Sequence, residues 1–170
     1  LEKLRFTIEY VQAPIQLKPE DFPIEDIHDC TKVPLYAWWH LKGTPCLHET
    51  MDLLSSKYKG NDLIVGVIGI SQGGCLAGLL STNHIGALPS LKFGISVGGY
   101  LFPDPGWTQT HWESYNGKIN IHFLNVYGDE DSYVPPAESQ KLTKFGVDVD
   151  VLIHQRGHTF ADDDPETIRK

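Results

Sequence analysis

A chain of 170 residues, 41% apolar and 21% charged, has the size and composition of one compact globular domain, which excludes disordered and collagen-like chains. With 14 Lys plus Arg against 22 Asp plus Glu, the formal charge is −8, an excess of acid that argues against nucleic-acid backbones and anionic membrane surfaces as partners. Three cysteines without a CxxC pair, no run of 18 apolar residues and no signal-like leader point to a soluble protein of the reducing cytoplasm.

The chain opens on Leu1-Glu2 and its one Met is Met51, so truncation at the N-terminus is expected. The first predicted strand is 6–11, β-branched and aromatic. Residues 28–40, with Cys30, Pro34 and the pair Trp38-Trp39, resist assignment. Thr44-Pro45 then supplies a capping hydroxyl and a first-turn proline. Leu47, Met51, Leu54 and Tyr58 follow at helical spacing before Gly60 stops the run. The second strand is 63–68. After it comes Gly69-Ile70-Ser71-Gln72-Gly73-Gly74, then the small, apolar helix-like run 75–80. Strand 92–97 leads into 101–116, an aromatic loop of unusual length for a compact domain. Strand 119–127 ends in an acidic turn, and Pro135-Pro136 opens a helix over 137–145 with Leu142 and Phe145 inward. Strand 147–153 runs into His154-Gln155-Arg156-Gly157-His158. Asp164-Pro165-Glu166 starts a last helix that stops at Lys170, so the C-terminus is also expected to be cut.

Strand and helix signals alternate, which predicts an α/β fold: a mostly parallel five-stranded sheet with helices on both faces, three layers within a single domain over 1–170.

The chemistry centres on Ser71. The spacing GxSxG between strand and helix fits a nucleophile elbow, a turn so sharp that Gly69 and Gly73 are needed to make room for the exposed hydroxyl. The following helix aims its N-terminal dipole, with the backbone N–H of Gln72, at the place where an oxyanion would develop. A plain Gly-rich βα turn is the competing reading. A phosphate loop lacks its GK[ST] and GxGxxG signatures. A serine nucleophile needs a base and an orienting acid, in the chain order Ser, acid, His. Asp131, in the acidic turn at a strand's C-terminal end, is the choice of acid, with Asp129 as competitor. His158, freed by Gly157, is the choice of base, whereas His154 at the strand end reads as packing or capping. A four-spaced metal pair of His154 and His158 is disfavoured by Gly157, so no metal and no organic cofactor is expected. Trp38, Trp39, Tyr100, Phe102 and Val134 are the candidate pocket residues, walls of an apolar acyl or aryl pocket or else anchors pinning loops to the core.

Taken together these residues resemble the family of serine hydrolases, the fungal and ovarian-cancer-associated type of α/β-hydrolase. Tyr10-Val11-Gln12-Ala13-Pro14 is similar to a family strand ending in Asp-Ala-Pro, and Ala37-Trp38-Trp39 to its Ala-Trp-Trp/Phe. Residues 69–74 resemble its Gly-Phe-Ser-Gln-Gly elbow, 96–100 its Ser-Gly-Tyr/Phe turn and 127–135 its Tyr-Gly-x-x-Asp-x-x-Val-Pro. Gly157-His158 resembles its Gly-Gly-His. The resemblance implies Ser71 as nucleophile, Asp131 as acid and His158 as base, in hydrolysis of a small-molecule ester or acyl thioester. Acyl-protein thioesterases and lysophospholipase-type carboxylesterases share the elbow and acid turn and form the neighbouring reading. Two departures stand out. No counterpart of the family's leading strand and His-Gly oxyanion loop precedes Leu4, which keeps open a hydrolase-fold binding protein without turnover, and Arg156 stands where the family has Gly or Pro.

Overall fold

The computed structural model of the chain describes residues 6–21, 34–40, 42–82, 88–104 and 118–160. The predicted helix start at 164–166, most of the aromatic loop 101–116 and the first part of 28–40 lie outside them. The chain forms two compact units, Leu1–Thr50 and Met51–Lys170.

In the first unit, β1 (Ile15–Gln16) and β2 (Tyr36–Ala37) make a short antiparallel ladder that pairs Ile15 with Ala37. Ala13, Ile15, Ala37, Trp39 and Leu47 are its buried apolar residues. The strand expected at 6–11 is not formed. Phe6, Ile8 and Tyr10 are 59%, 65% and 88% exposed. Their alternation supplies one apolar face, but a strand also needs an edge to pair with. Residues 6–11 enter no strand ladder among the described residues.

Helix α1 (His48–Tyr58) starts three residues after Pro45 and buries Thr50, Leu54 and Tyr58, one face at a spacing of four. It ends before Gly60, whose φ of 77° is a left-handed stop.

The second unit is built on a parallel sheet of four strands in the order β3 (Gly66–Ile70), β4 (Phe93–Val97), β5 (His122–Gly128) and β6 (Val149–His154). The class is therefore as expected, with four strands in this sheet in place of five. Helix α2 (Gln72–Leu80) is buried all along 74–80, as its uniformly apolar composition requires. The hydroxyls of Ser81 and Thr82 close its C-terminal end by donating to the carbonyls of Ala77 and Leu79, both at 2.7 Å. Helix α3 (Pro136–Thr143) enters through Pro135-Pro136 and buries Ser139 and Leu142. Leu142 and Phe123 of β5 both lie against Gly78 of α2. Helices α2 and α3 therefore share one sheet face.

This topology sets the position of the site. Parallel strands all deliver their C-terminal ends to one edge, where open α/β sheets carry their chemistry. Ser71 follows β3, Gly98 follows β4, Asp131 lies three residues past β5 and His158 four past β6.

Candidate functional site at the strand ends

Ser71 joins β3 directly to α2. Its backbone has φ 56° and ψ −119°, and among the described residues it is the one non-glycine with positive φ. Such a conformation costs about 1–3 kcal/mol and persists only where neighbours enforce it. Two of them do: the Ser71 N–H donates to the Val97 carbonyl at 2.8 Å, and the Ser71 carbonyl accepts from Cys75 N–H at 3.0 Å. The elbow is tight enough that a methyl on Gly69 would lie 1.9 Å from the Gly73 carbonyl oxygen. Gly69 thus lies directly against the backbone of Gly73, with no room for a side chain at 69. Gln72 begins α2, so the positive end of that helix faces Ser71.

Beyond β5 and β6 the parallel ladder continues as turn contacts. Asp129 N–H donates to the His154 carbonyl at 2.9 Å and Glu130 N–H to the Arg156 carbonyl at 3.3 Å. These bonds carry Asp131 and His158 to the same place. His158 Nδ1 lies 2.7 Å from Asp131 Oδ2. The other carboxylate oxygen, Oδ1, accepts the backbone N–H groups of Tyr133 at 2.9 Å and Val134 at 2.8 Å, which fixes the carboxylate plane. Burial pushes the Asp131 carboxyl up. The hydrogen bond from His158, the Val134 N–H, the imidazole's charge and the Tyr133 N–H together outweigh that, and the net shift is downward. An ionised carboxylate only accepts, so Nδ1 carries the proton toward it. In its neutral form a ring held this way can accept a proton only at Nε2.

The competing residues are placed differently. Asp129 is exposed, whereas Asp131 is only 4% exposed. His154 is 1% exposed, and neither of its ring nitrogens has a hydrogen-bond partner among the described residues, which fits the packing role expected for it.

A cleft of about 390 Å³ is lined by Ser71, Tyr100, Tyr133, Val134, Pro135 and Glu138. Tyr100 and Val134 were expected there. Phe102 is instead buried at 2% exposure, and Trp38 and Trp39 belong to the first unit, where Trp39 is buried and the Thr50 hydroxyl donates to the Trp38 carbonyl. Burial, and then the Cys75 thiol, hold the Tyr100 phenol above its ordinary range, so it meets the cleft as a neutral donor. Tyr133, Pro135 and Glu138 were missed by sequence reasoning. The available signal was the run Asp131-x-Tyr133-Val134-Pro135. A carboxylate accepting from the two N–H groups that follow it folds the loop back on itself and turns Tyr133 toward the histidine, their ring centres 5.8 Å apart. Gly98 was missed as well. Its φ is 54°, and a methyl there would stand 2.8 Å from His158 Cε1.

A family profile described as Serine hydrolase (FSH1) matches residues 1–167. Family of serine hydrolases 2 of Saccharomyces cerevisiae is 29% identical over 93% of this chain and 78% of its own length. Esterase CG5412 of Drosophila melanogaster is 28% identical over 70% of the chain, which spans only 43% of that protein. Among solved structures, Zea mays acyl-protein thioesterase 2 aligns with a TM-score of 0.50 and 20% identity, over 79% of this chain and 69% of that one. This last likeness is one of fold alone.

Proposed function

Because the chain belongs to the FSH1 serine hydrolase family, we propose that it cleaves a small-molecule carboxylic ester or acyl thioester through an acyl-enzyme on Ser71. His158 Nε2 takes the hydroxyl proton as Ser71 Oγ bonds to the acyl carbon. The proton then passes to the leaving alcohol or thiol as the acyl–oxygen or acyl–sulfur bond breaks. Water repeats the sequence in reverse, giving the carboxylic acid and free Ser71. Asp131 holds the imidazole tautomer and stabilises its charge during both transfers. The backbone N–H of Gln72, at the N-terminus of α2, is the oxyanion donor assigned within this chain. Neither a metal nor an organic cofactor enters these steps.

The observation that carries this reading is the His158–Asp131 hydrogen bond of 2.7 Å at the same sheet edge as a serine held at φ 56°. A backbone strained at one serine and a buried carboxylate aimed at one imidazole are each costly, and nucleophilic catalysis uses both. The cleft's apolar walls, Val134 and Pro135 with the two tyrosines, suit an uncharged acyl group. The proposed location is the cytoplasm. It is supported by the free thiols of Cys46 and Cys75.

Hydrolysis of p-nitrophenyl butyrate tests the proposal. The chain is expected to release p-nitrophenol catalytically, and Ser71→Ala to lose at least about 10³-fold in kcat. A Ser71→Ala variant as active as the unsubstituted chain excludes Ser71 as nucleophile.

A further inference from the structure

On the sheet face under α2 and α3, the parallel register sets Ser96 of β4 opposite Asn125 of β5, both fully buried. Burying an amide costs free energy unless it is hydrogen bonded, and of this one the Nδ2 group is bonded while Oδ1 has no partner among the described residues. Asn125 Nδ2 donates to the Ser139 carbonyl at 2.8 Å, which ties β5 to α3. Ser139 is itself fully buried. Its hydroxyl donates to the Gly99 carbonyl at 2.7 Å, a contact across 40 residues.

Gly99 has no slack on its other side. A methyl there would fall 2.1 Å from Ser96 Oγ, 2.7 Å from the Gly74 carbonyl carbon and 3.0 Å from the Cys75 nitrogen. The Gly98-Gly99 backbone is therefore pressed on the first turn of α2, the turn that carries Ser71. One residue earlier, Gly98 is held by its N–H on the Val126 carbonyl at 2.8 Å. The space beside its Cα is filled by His158, with Cε1 2.8 Å and Nδ1 2.9 Å from where a methyl would stand. This turn is the spacer between the elbow and the imidazole. Helix α3, in turn, begins just past Val134, whose N–H holds Asp131.

We propose that Ser139 is a positioning residue: anchored by Asn125, it locks α3 to the Gly98-Gly99 spacer and thereby sets His158 and Asp131 relative to Ser71. The inference rests on the hydrolase reading above and adds to it a residue outside the cleft. Its hydroxyl touches neither substrate nor reacting atoms, so the effect belongs in kcat rather than in KM.

Ser81 provides the control. It is buried, and its hydroxyl donates to the Ala77 carbonyl at 2.7 Å, at the end of α2 away from Ser71. Ser81→Ala thus removes a buried donor to a backbone carbonyl without cutting the Asn125–Ser139–Gly99 chain or loosening the packing on Gly99. The test is a graded series with p-nitrophenyl butyrate, with melting temperatures measured alongside. Ser139→Ala, which deletes the donor, is expected to lower kcat about tenfold with KM within about twofold. Ser139→Cys, a weaker donor, is expected to lose about threefold, and Ser81→Ala to keep its kcat. If Ser139→Ala does not fold, Ser139→Cys carries the test by the same criterion. A folded Ser139 variant of either kind with unchanged kcat, however much its melting temperature falls, overturns the proposal. So do equal losses in Ser139→Ala and Ser81→Ala. If the unsubstituted chain shows no hydrolysis dependent on Ser71, the hydrolase reading fails and this inference with it. If that hydrolysis is present and the Ser139 variants match it, only this inference fails.

Discussion

Replacing Gly98 by Ala perturbs the site at a single atom, and the geometry sets the size of the effect. A methyl built on Gly98 meets His158 Cε1 at 2.8 Å and Nδ1 at 2.9 Å, and Asp131 Oδ2 at 3.4 Å. Carbon contacts relax to about 3.5 Å, so the ring must retreat by about 0.7 Å. A misplacement of 1 Å at a reacting group costs about 10²-fold. Scaling the exponent to 0.7 Å gives a loss of about 25-fold in kcat. An alanine held at φ 54° adds about 1–2 kcal/mol of backbone strain, which appears as a lower urea midpoint. Steady-state hydrolysis of p-nitrophenyl butyrate below the variant's melting temperature measures the first quantity, and urea unfolding followed by tryptophan fluorescence the second. A folded Gly98→Ala with kcat within twofold of the unsubstituted chain would refute the claim that this turn abuts an imidazole that serves as the base.

Three further outcomes follow from the same contacts. Asp131 has its carboxyl held below its usual 3.8 in the folded state, so the unfolded chain takes up the proton first. The stability it confers is whole above that value and is lost as pH falls through the lower folded one. Between about pH 5 and 2 the unsubstituted chain should lose stability more steeply than Asp131→Asn in urea titrations, and equal slopes would contradict the shift. Leu142 is fully buried and packs on Gly78 of α2. Leu142→Ala is expected to cost about 2–5 kcal/mol in urea unfolding, and a loss under 1 kcal/mol would place that side chain outside the core. Gly69→Ala drives a methyl to within 1.9 Å of a backbone oxygen that cannot rotate away. It should abolish hydrolysis by more than about 10²-fold even where circular dichroism shows a folded chain, whereas normal turnover would mean that the elbow is looser than described.

What was legible in the sequence was what short-range sterics dictate. Gly69 and Gly73 announce the elbow because the close approach they permit spans only four residues. Asp131 and His158 are legible because each follows a strand pattern at the end where parallel sheets gather their loops. The strand expected at 6–11 failed for the opposite reason. Alternation of Phe6, Ile8 and Tyr10 describes a face, and a face says nothing about whether a pairing edge is present. Helix α1 began at His48 rather than beside Pro45 because a capping pair marks only a permitted start. The placements of Gly98 and Ser139 were illegible, since each depends on contacts between elements far apart in the chain. Ser139 meets Gly99 forty residues away, and no local pattern of composition or spacing encodes such a meeting.

The central claim, that Ser71 is the nucleophile activated by the His158–Asp131 pair, is tested most directly by locating a fluorophosphonate adduct. After brief exposure of the chain to the probe, peptide mass spectrometry should find one adduct, on Ser71. The labelling rate should fall by at least about 10²-fold in His158→Ala, while Ser71→Ala takes up no label. An adduct on any other residue, or labelling of Ser71 at an undiminished rate without His158, would contradict the account.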